Sequence, residues 1–366
     1  MFGLYRPAAS FIKRLWDQGP GGKVLAVLAF VGISVGLGAM RVGARNAIVH
    51  AATSCGIGEE GAERRADSLI GALEKRFGPL PSRRDGRPRD LRHPVGQATA
   101  IASLDAVRAL AHLPEDIREG GAKTSPRVVV VGGSQGGHAA LWVDRLAPYY
   151  ARELEIAGIA ATVPPADMLG EARLALTAPR ESTANMVAFY GASAGWYGAA
   201  GDLGEVLVSP LDKDVPAALG SSCDPGDLLA GKGTLDAIFQ PSILDAAASG
   251  ALAGVEPWGC MVGENGLDTT SVDRIQKDSS SYGILFVTGE KDTLVDTATE
   301  RAAFAKLCEG GMPMQYLECT GASHTKATTW ALPEILTFLN ARLAGEPFTK
   351  ACTPGAPVTC SATPAP

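Results

Sequence analysis

Ser134 is the residue of this chain best placed to do chemistry. It lies in Gly132-Gly133-Ser134-Gln135-Gly136, after the valine run Val128–Val131 and before an Ala/Leu/Trp stretch. An apolar run bounded by Pro126 and glycines reads as a strand buried on both faces, and the stretch after it as a helix. Strand, sharp turn and helix around G-x-S-x-G are the context of a nucleophile elbow. Gly132 and Gly136 have a steric job there, because the turn is too tight for a Cβ against the neighbouring strand or helix. The helix N-terminus behind the serine offers backbone N–H groups to a developing negative charge, with the Gln135 N–H as the first donor.

A serine hydroxyl is a poor nucleophile near neutrality and needs a base, itself oriented by an acid. For an elbow serine, the acid and then the histidine are expected later in the chain. Asp292 follows the apolar run Tyr282–Thr288, at the C-terminal edge where parallel sheets place their sites. Glu290 and Asp296 compete for the role, but Glu290 sits early in the turn and Asp296 is suited to capping the next helix. The histidines are His50, His93, His112, His138 and His324. His138 sits in the elbow helix and cannot readily turn back to Ser134. His324 follows the strand-like Met314–Cys319 in a loop of small residues, in the right order. The reading is Ser134 as nucleophile, His324 as general base and Asp292 as the group that fixes its tautomer.

The elements that must position these residues follow from pattern. Gln97–Leu113 reads as a helix, Leu154–Val163 as a second buried strand, Thr299–Cys308 and Pro333–Leu343 as later helices. Between them, 166–280 lacks strand–helix alternation and reads as a mainly helical cap. Its aromatics, Phe189, Tyr190, Trp196, Tyr197, Phe239 and Trp258, are expected chiefly in the cap's own core. The fold class is thus α/β: an α/β-hydrolase fold, a mostly parallel sheet with helices on both faces, built from 46–165 and 281–348 around the inserted cap.

A chain of 366 residues with a net charge of −6 gives no electrostatic footprint for nucleic acid. Its seven cysteines show no C-x-x-C spacing, and no zinc site or other cofactor is expected. Val24–Met40 is uncharged and apolar behind a basic flank. It reads as a signal peptide or membrane anchor within 1–45, pointing to a secreted, periplasmic or anchored protein; the alternative is a buried strand with a Gly-rich turn. The Pro/Thr/Ala-rich tail 349–366 reads as disordered apart from any bridge at Cys352 or Cys360.

Several segments resemble the secretory lipase family, the lipase A-like branch of the α/β-hydrolases, and especially its bacterial members. The resemblance spans 93–350. It rests on His93-Pro94-Val95-Gly96, Leu104–Ala109, GGSQGGHAALW, Leu146–Tyr150, Gly158–Asp167, VTGEKDTLVDTATERAAFAKLC and GASH. It implies hydrolysis of small-molecule or lipid esters, often acylglycerols, by a lipase or esterase, with Ser134, Asp292 and His324 matching the family triad. The N-terminal third departs from the family. Where a His-Gly oxyanion motif is expected, this chain has His50-Ala51-Ala52-Thr53-Ser54-Cys55, leaving Ala51 as the candidate second donor. The Arg/Pro-rich stretch Pro79–Arg92 stands where a second strand is expected. Loss of one such donor typically costs on the order of 10²–10³ in rate. Two alternatives stand beside the esterase: a serine peptidase of prolyl oligopeptidase type, and a catalytically impaired, membrane-anchored relic. The long separation of Asp292 from Ser134 argues against the peptidase, because it leaves room for a cap.

Overall fold

A computed structural model describes residues 26–28, 95–111, 125–197, 199–222, 225–277, 279–349 and 352–364. Strands β1 (Ala26–Leu28), β2 (Arg127–Gly133), β3 (Glu155–Thr162), β4 (Gly283–Gly289) and β5 (Met314–Cys319) form one five-stranded sheet in sequential order. Every neighbouring pair is parallel, with register partners such as Val130↔Ile159, Ile159↔Ile284 and Phe286↔Tyr316. β1 supplies three residues of Val24–Met40, pairing Ala26 with Val129. The rest of that stretch lies outside the described residues, and no described helix is long and apolar enough to cross a membrane.

A sheet that steps one strand at a time, always parallel, must return by crossovers of one hand, which puts the crossover helices on one face. Helix α1 (Val95–Ala111) and helix α2 (Gln135–Tyr150) lie on that face, α2 being the β2–β3 crossover. The period of two then divides the valine run. Val128 and Val130 join the core with Leu104 of α1 and Leu141 and Trp142 of α2. Val129 and Val131 point into the opposite core. This two-sided burial is why the run carries no polar alternation.

Between β3 and β4 the chain leaves the sheet for a helical insertion: α3 (Met168–Thr177), α4 (Ser182–Tyr197), α5 (Leu211–Ser222), α6 (Pro241–Ser249) and α7 (Trp258–Asn265), linked by 3-10 turns. The insertion buries its own core. Tyr190 makes edge contacts with Phe239 and Trp258 at 6.4 and 5.9 Å, and Val187, Leu203 and Ile243 pack around them. The aromatics are thus mainly core, as expected, while Trp196 is 37% exposed. The two ends of the insertion meet where Leu267 N–H donates to Ala166 O at 2.9 Å.

Helix α8 (Thr297–Glu309) crosses from β4 to β5 and packs Phe304 on Phe286 and Tyr316. It shares the face of α2, as one-handed crossovers require. Helices α9 (His324–Trp330) and α10 (Leu332–Ala344) cover the other face through Ala327, Ile335 and Leu339. A buried ion cluster returns the chain to the sheet after the insertion. Burial alone raises the Asp144 carboxyl, but Lys277 and Arg274 beside it prevail and hold it at about 2.

The expectation of a disordered tail is corrected. Val358 extends the sheet past β5, its N–H donating to Glu318 O and its carbonyl accepting from Thr320 N–H at 2.9 and 2.8 Å. Disulfides Cys308–Cys352 and Cys319–Cys360 pin it at both ends. Composition pointed to disorder because it carries no information on long-range cross-links. Cys55 and Cys223 lie outside the described residues. Closing loops of 44 and 41 residues, each bridge is worth about 4 kcal/mol in the chain-entropy account. Reduction under otherwise native conditions should therefore shift the urea midpoint clearly downward, and Cys319→Ala/Cys360→Ala should reproduce part of that shift. An unchanged midpoint in both experiments would show that the tail contributes nothing to stability.

Candidate active site

The turn at the end of β2 has one residue, Ser134, between the strand and α2. Its backbone lies at φ 58° and ψ −126°, a region that costs a non-glycine residue about 1–3 kcal/mol. The neighbours enforce it. Ser134 N–H donates to Thr162 O of β3 at 2.8 Å, and its carbonyl accepts from His138 N–H at 3.1 Å. A Cβ on Gly132 would stand 1.9 Å from the Gly136 carbonyl oxygen, and one on Gly137 would stand 2.8 Å from Thr162 O. Gly132 and Gly137 are thus where side chains are barred; Gly136 contributes the blocking carbonyl. Ser134 caps α2 without a side-chain hydrogen bond to it, so its hydroxyl is not spent on the helix. Gln135 opens the helix, and its N–H belongs to the first turn, which has no intrahelical acceptors.

The acid and the histidine meet. Asp292 is buried in the turn after β4, with Oδ1 accepting from Leu294 and Val295 N–H at 3.0 and 3.1 Å. Its Oδ2 accepts from His324 Nδ1 at 2.7 Å. With a proton fixed on Nδ1, Nε2 is left as the basic nitrogen; it is buried and has no hydrogen-bond partner among the described residues. His324 is not in a loop, as its small neighbours suggested, but is the first residue of α9, with Ser323 at the cap position. A helix of seven residues without periodic apolar spacing leaves too little pattern to read.

The competing carboxylates have other work. Asp296 caps α8 by accepting from Thr299 N–H at 2.8 Å. Glu290 accepts from Gly321 N–H at 2.6 Å and braces the loop that leads to His324. His138 is packed away: Nε2–H donates to Asn265 O at 2.7 Å, and burial lowers its pKa to about 4, leaving it neutral. Ala51, the candidate second oxyanion donor, lies outside the described residues, as do His50, His93 and His112.

Sequence reasoning missed two buried carboxyls beneath the acid turn. Glu171 of α3 accepts from Asp296 N–H at 2.7 Å, while Glu300 of α8 accepts from Ala166 and Asp167 N–H at 2.8 and 3.3 Å. They hold the first residues of the insertion against the acid turn and α8. Burial, with Asp296 and Asp292 nearby, pushes Glu171 up to about 8; burial and Glu171 raise Glu300 well above the ordinary value. No local motif announces a Glu whose partners are backbone amides of a distant segment.

Sheet order, inserted helices and turn geometry are those of the α/β-hydrolase fold. Within it, residues 88–175 match the family model of the secretory lipases. Among solved structures, Candida antarctica lipase A in its closed state is similar with a TM-score of 0.56 at 17% identity, covering 74% of this chain and 60% of that one. A protein from Legionella pneumophila matches with a TM-score of 0.55 at 16% identity, covering 78% and 74% of the two chains. This chain therefore spans about three fifths of the length of the Candida lipase it resembles. No curated protein matches the sequence.

The raised Glu171 has a thermodynamic consequence. Its folded pKa of about 8 stands above the ordinary 4.5, so the proton it holds stabilises the fold fully below about pH 4.5. That contribution is lost as pH rises through about 8. Glu171→Gln removes the titration. Its unfolding free energy relative to the parent should improve by up to about 1.4 kcal/mol per pH unit across that window, read by urea unfolding from pH 5 to 8.5. A pH-independent difference would show that the carboxyl is ionised in the fold.

Proposed function

We propose that the protein is a serine hydrolase of carboxylic esters, a lipase or esterase acting through an acyl-enzyme on Ser134. The observation that carries this reading is the Asp292–His324 contact at 2.7 Å, which leaves Nε2 buried and unpaired. It lies at the same sheet edge as a serine held in a strained elbow. His324 takes the Ser134 proton as the hydroxyl attacks the ester carbonyl, then returns it to the departing alcohol. Asp292 keeps the imidazole in the required tautomer and stabilises the imidazolium. The Gln135 N–H donates to the oxyanion. Water then repeats the sequence on the acyl-enzyme.

The secretory lipase match over 88–175 supports an ester substrate, and the helical insertion between β3 and β4 serves as the cap. An inserted cap of this size also speaks against a prolyl oligopeptidase-type peptidase. Export to an oxidising compartment is supported by the two disulfides, which reducing compartments disfavour.

A panel of p-nitrophenyl acyl esters and aminoacyl-proline amides, with fluorophosphonate labelling, tests the reading. Ester turnover is expected, along with labelling that Ser134→Ala abolishes. Asp292→Asn should lower kcat by on the order of 10⁴, the effect of a misplaced tautomer in serine hydrolases. Cleavage of the amides alone, or labelling insensitive to Ser134→Ala, overturns it.

A further inference from the structure

The proposed nucleophile and base sit on separate elements: Ser134 on the β2–α2 turn, His324 at the start of α9. Asp292 orients the imidazole from the turn after β4, but that contact does not relate the ring to Ser134. Thr162, the last residue of β3, touches both elements. Its carbonyl accepts from Ser134 N–H at 2.8 Å. Its hydroxyl lies 2.6 Å from the Thr328 hydroxyl of α9 and 3.4 Å from the Gly132 carbonyl. With the Thr162 proton turned to Gly132, the Thr328 hydroxyl is the donor to Thr162. Thr328 lies four residues after His324, so the two share one face of α9.

We propose that Thr162 and Thr328 form a positioning pair that sets the approach of the His324 imidazole to the Ser134 hydroxyl. The proposal rests on the reading of those two residues as base and nucleophile. One side of Thr162 fixes the serine backbone and the other fixes the helix of the histidine, so the two reacting groups are referenced to a single rigid residue. Thr162 is fully buried at the end of a strand paired on both sides. The pair sits directly beside the elbow: a Cβ on Gly133 would stand 3.1 Å from the Thr162 hydroxyl and 3.5 Å from that of Thr328. Packing alone does not ask for two hydroxyls here, because replacing both partners of a hydrogen bond by apolar groups of the same shape is nearly neutral for stability. Geometry of the reacting atoms is far less forgiving; a displacement near 1 Å costs on the order of 10²-fold in rate.

Thr328→Val keeps the shape and deletes the hydroxyl. We expect kcat on a p-nitrophenyl ester and the rate constant for fluorophosphonate inactivation to fall together about tenfold, with KM within about twofold; the melting temperature falls modestly, because the buried Thr162 hydroxyl loses its donor. Thr328→Ser should restore both rates. Thr162→Val/Thr328→Val should be no slower than the worse single variant, since either change breaks the same link. The pair is overturned if Thr328→Val reacts at parental rates, if Thr328→Ser is as slow as Thr328→Val, or if the two Val changes multiply. If the parent chain neither turns over esters nor takes up fluorophosphonate, the hydrolase reading fails and the pair with it. An active parent with an unimpaired Thr328→Val removes the pair alone.

Discussion

A left-handed backbone at a residue with a Cβ is the constraint around which this molecule is arranged. Ser134 at φ 58° is stable only because the surroundings over-determine it. Its N–H is claimed by Thr162 O, its carbonyl starts α2, and glycines on both sides let strand and helix close over the turn. Those requirements reach into the whole domain. A helix can follow so abruptly only if the strand before it is deeply anchored. The valine run meets that need by burying alternate side chains on opposite faces.

The sheet edge that displays Ser134 also gathers the turns after β3, β4 and β5. Backbone amides and carboxyls tie these turns together. Asp292 accepts two backbone N–H bonds besides the histidine, Glu290 braces the loop before His324, and Glu171 and Glu300 fasten the insertion to the acid turn and α8. Carboxyls suit the task because turn amides have no sheet or helix partners and a buried donor left unmet costs about 1–3 kcal/mol. Two of these carboxyls, Glu171 and Glu300, have their pKa raised by burial. The tail adds a further brace, since its disulfide at Cys319 closes on the strand that leads to His324.

Much of this was legible along the chain. Strands β3 and β4 fall within a residue of their apolar runs, because strands buried on both faces need uninterrupted hydrophobic residues, and β5 coincides with Met314–Cys319. The helices that pack on the sheet follow their 3.6-residue period. Asp292 was preferred to Asp296 and Glu290 on chain order and capping chemistry, and in the structure the three carboxylates have different partners: the His324 ring, Thr299 N–H and Gly321 N–H. What escaped had no local signature. α9 is too short to show a period, the tail's order comes from bonds made across 41 and 44 residues, and Thr162, Thr328, Glu171 and Glu300 look like ordinary surface-type residues in the sequence.

The sequence by itself determined the strand–turn–helix elbow at Ser134 and a sheet whose middle strands admit no polar face. These depend on short-range sterics and on periodic burial, which neighbouring residues encode directly. Only the tertiary structure decided which buried polar atoms meet. His324 Nδ1 finds Asp292, and Thr162 finds Thr328, across 166 positions of chain. Such pairings are satisfied in space, by whichever donor and acceptor the packed backbone brings together, and no local pattern of residues records them.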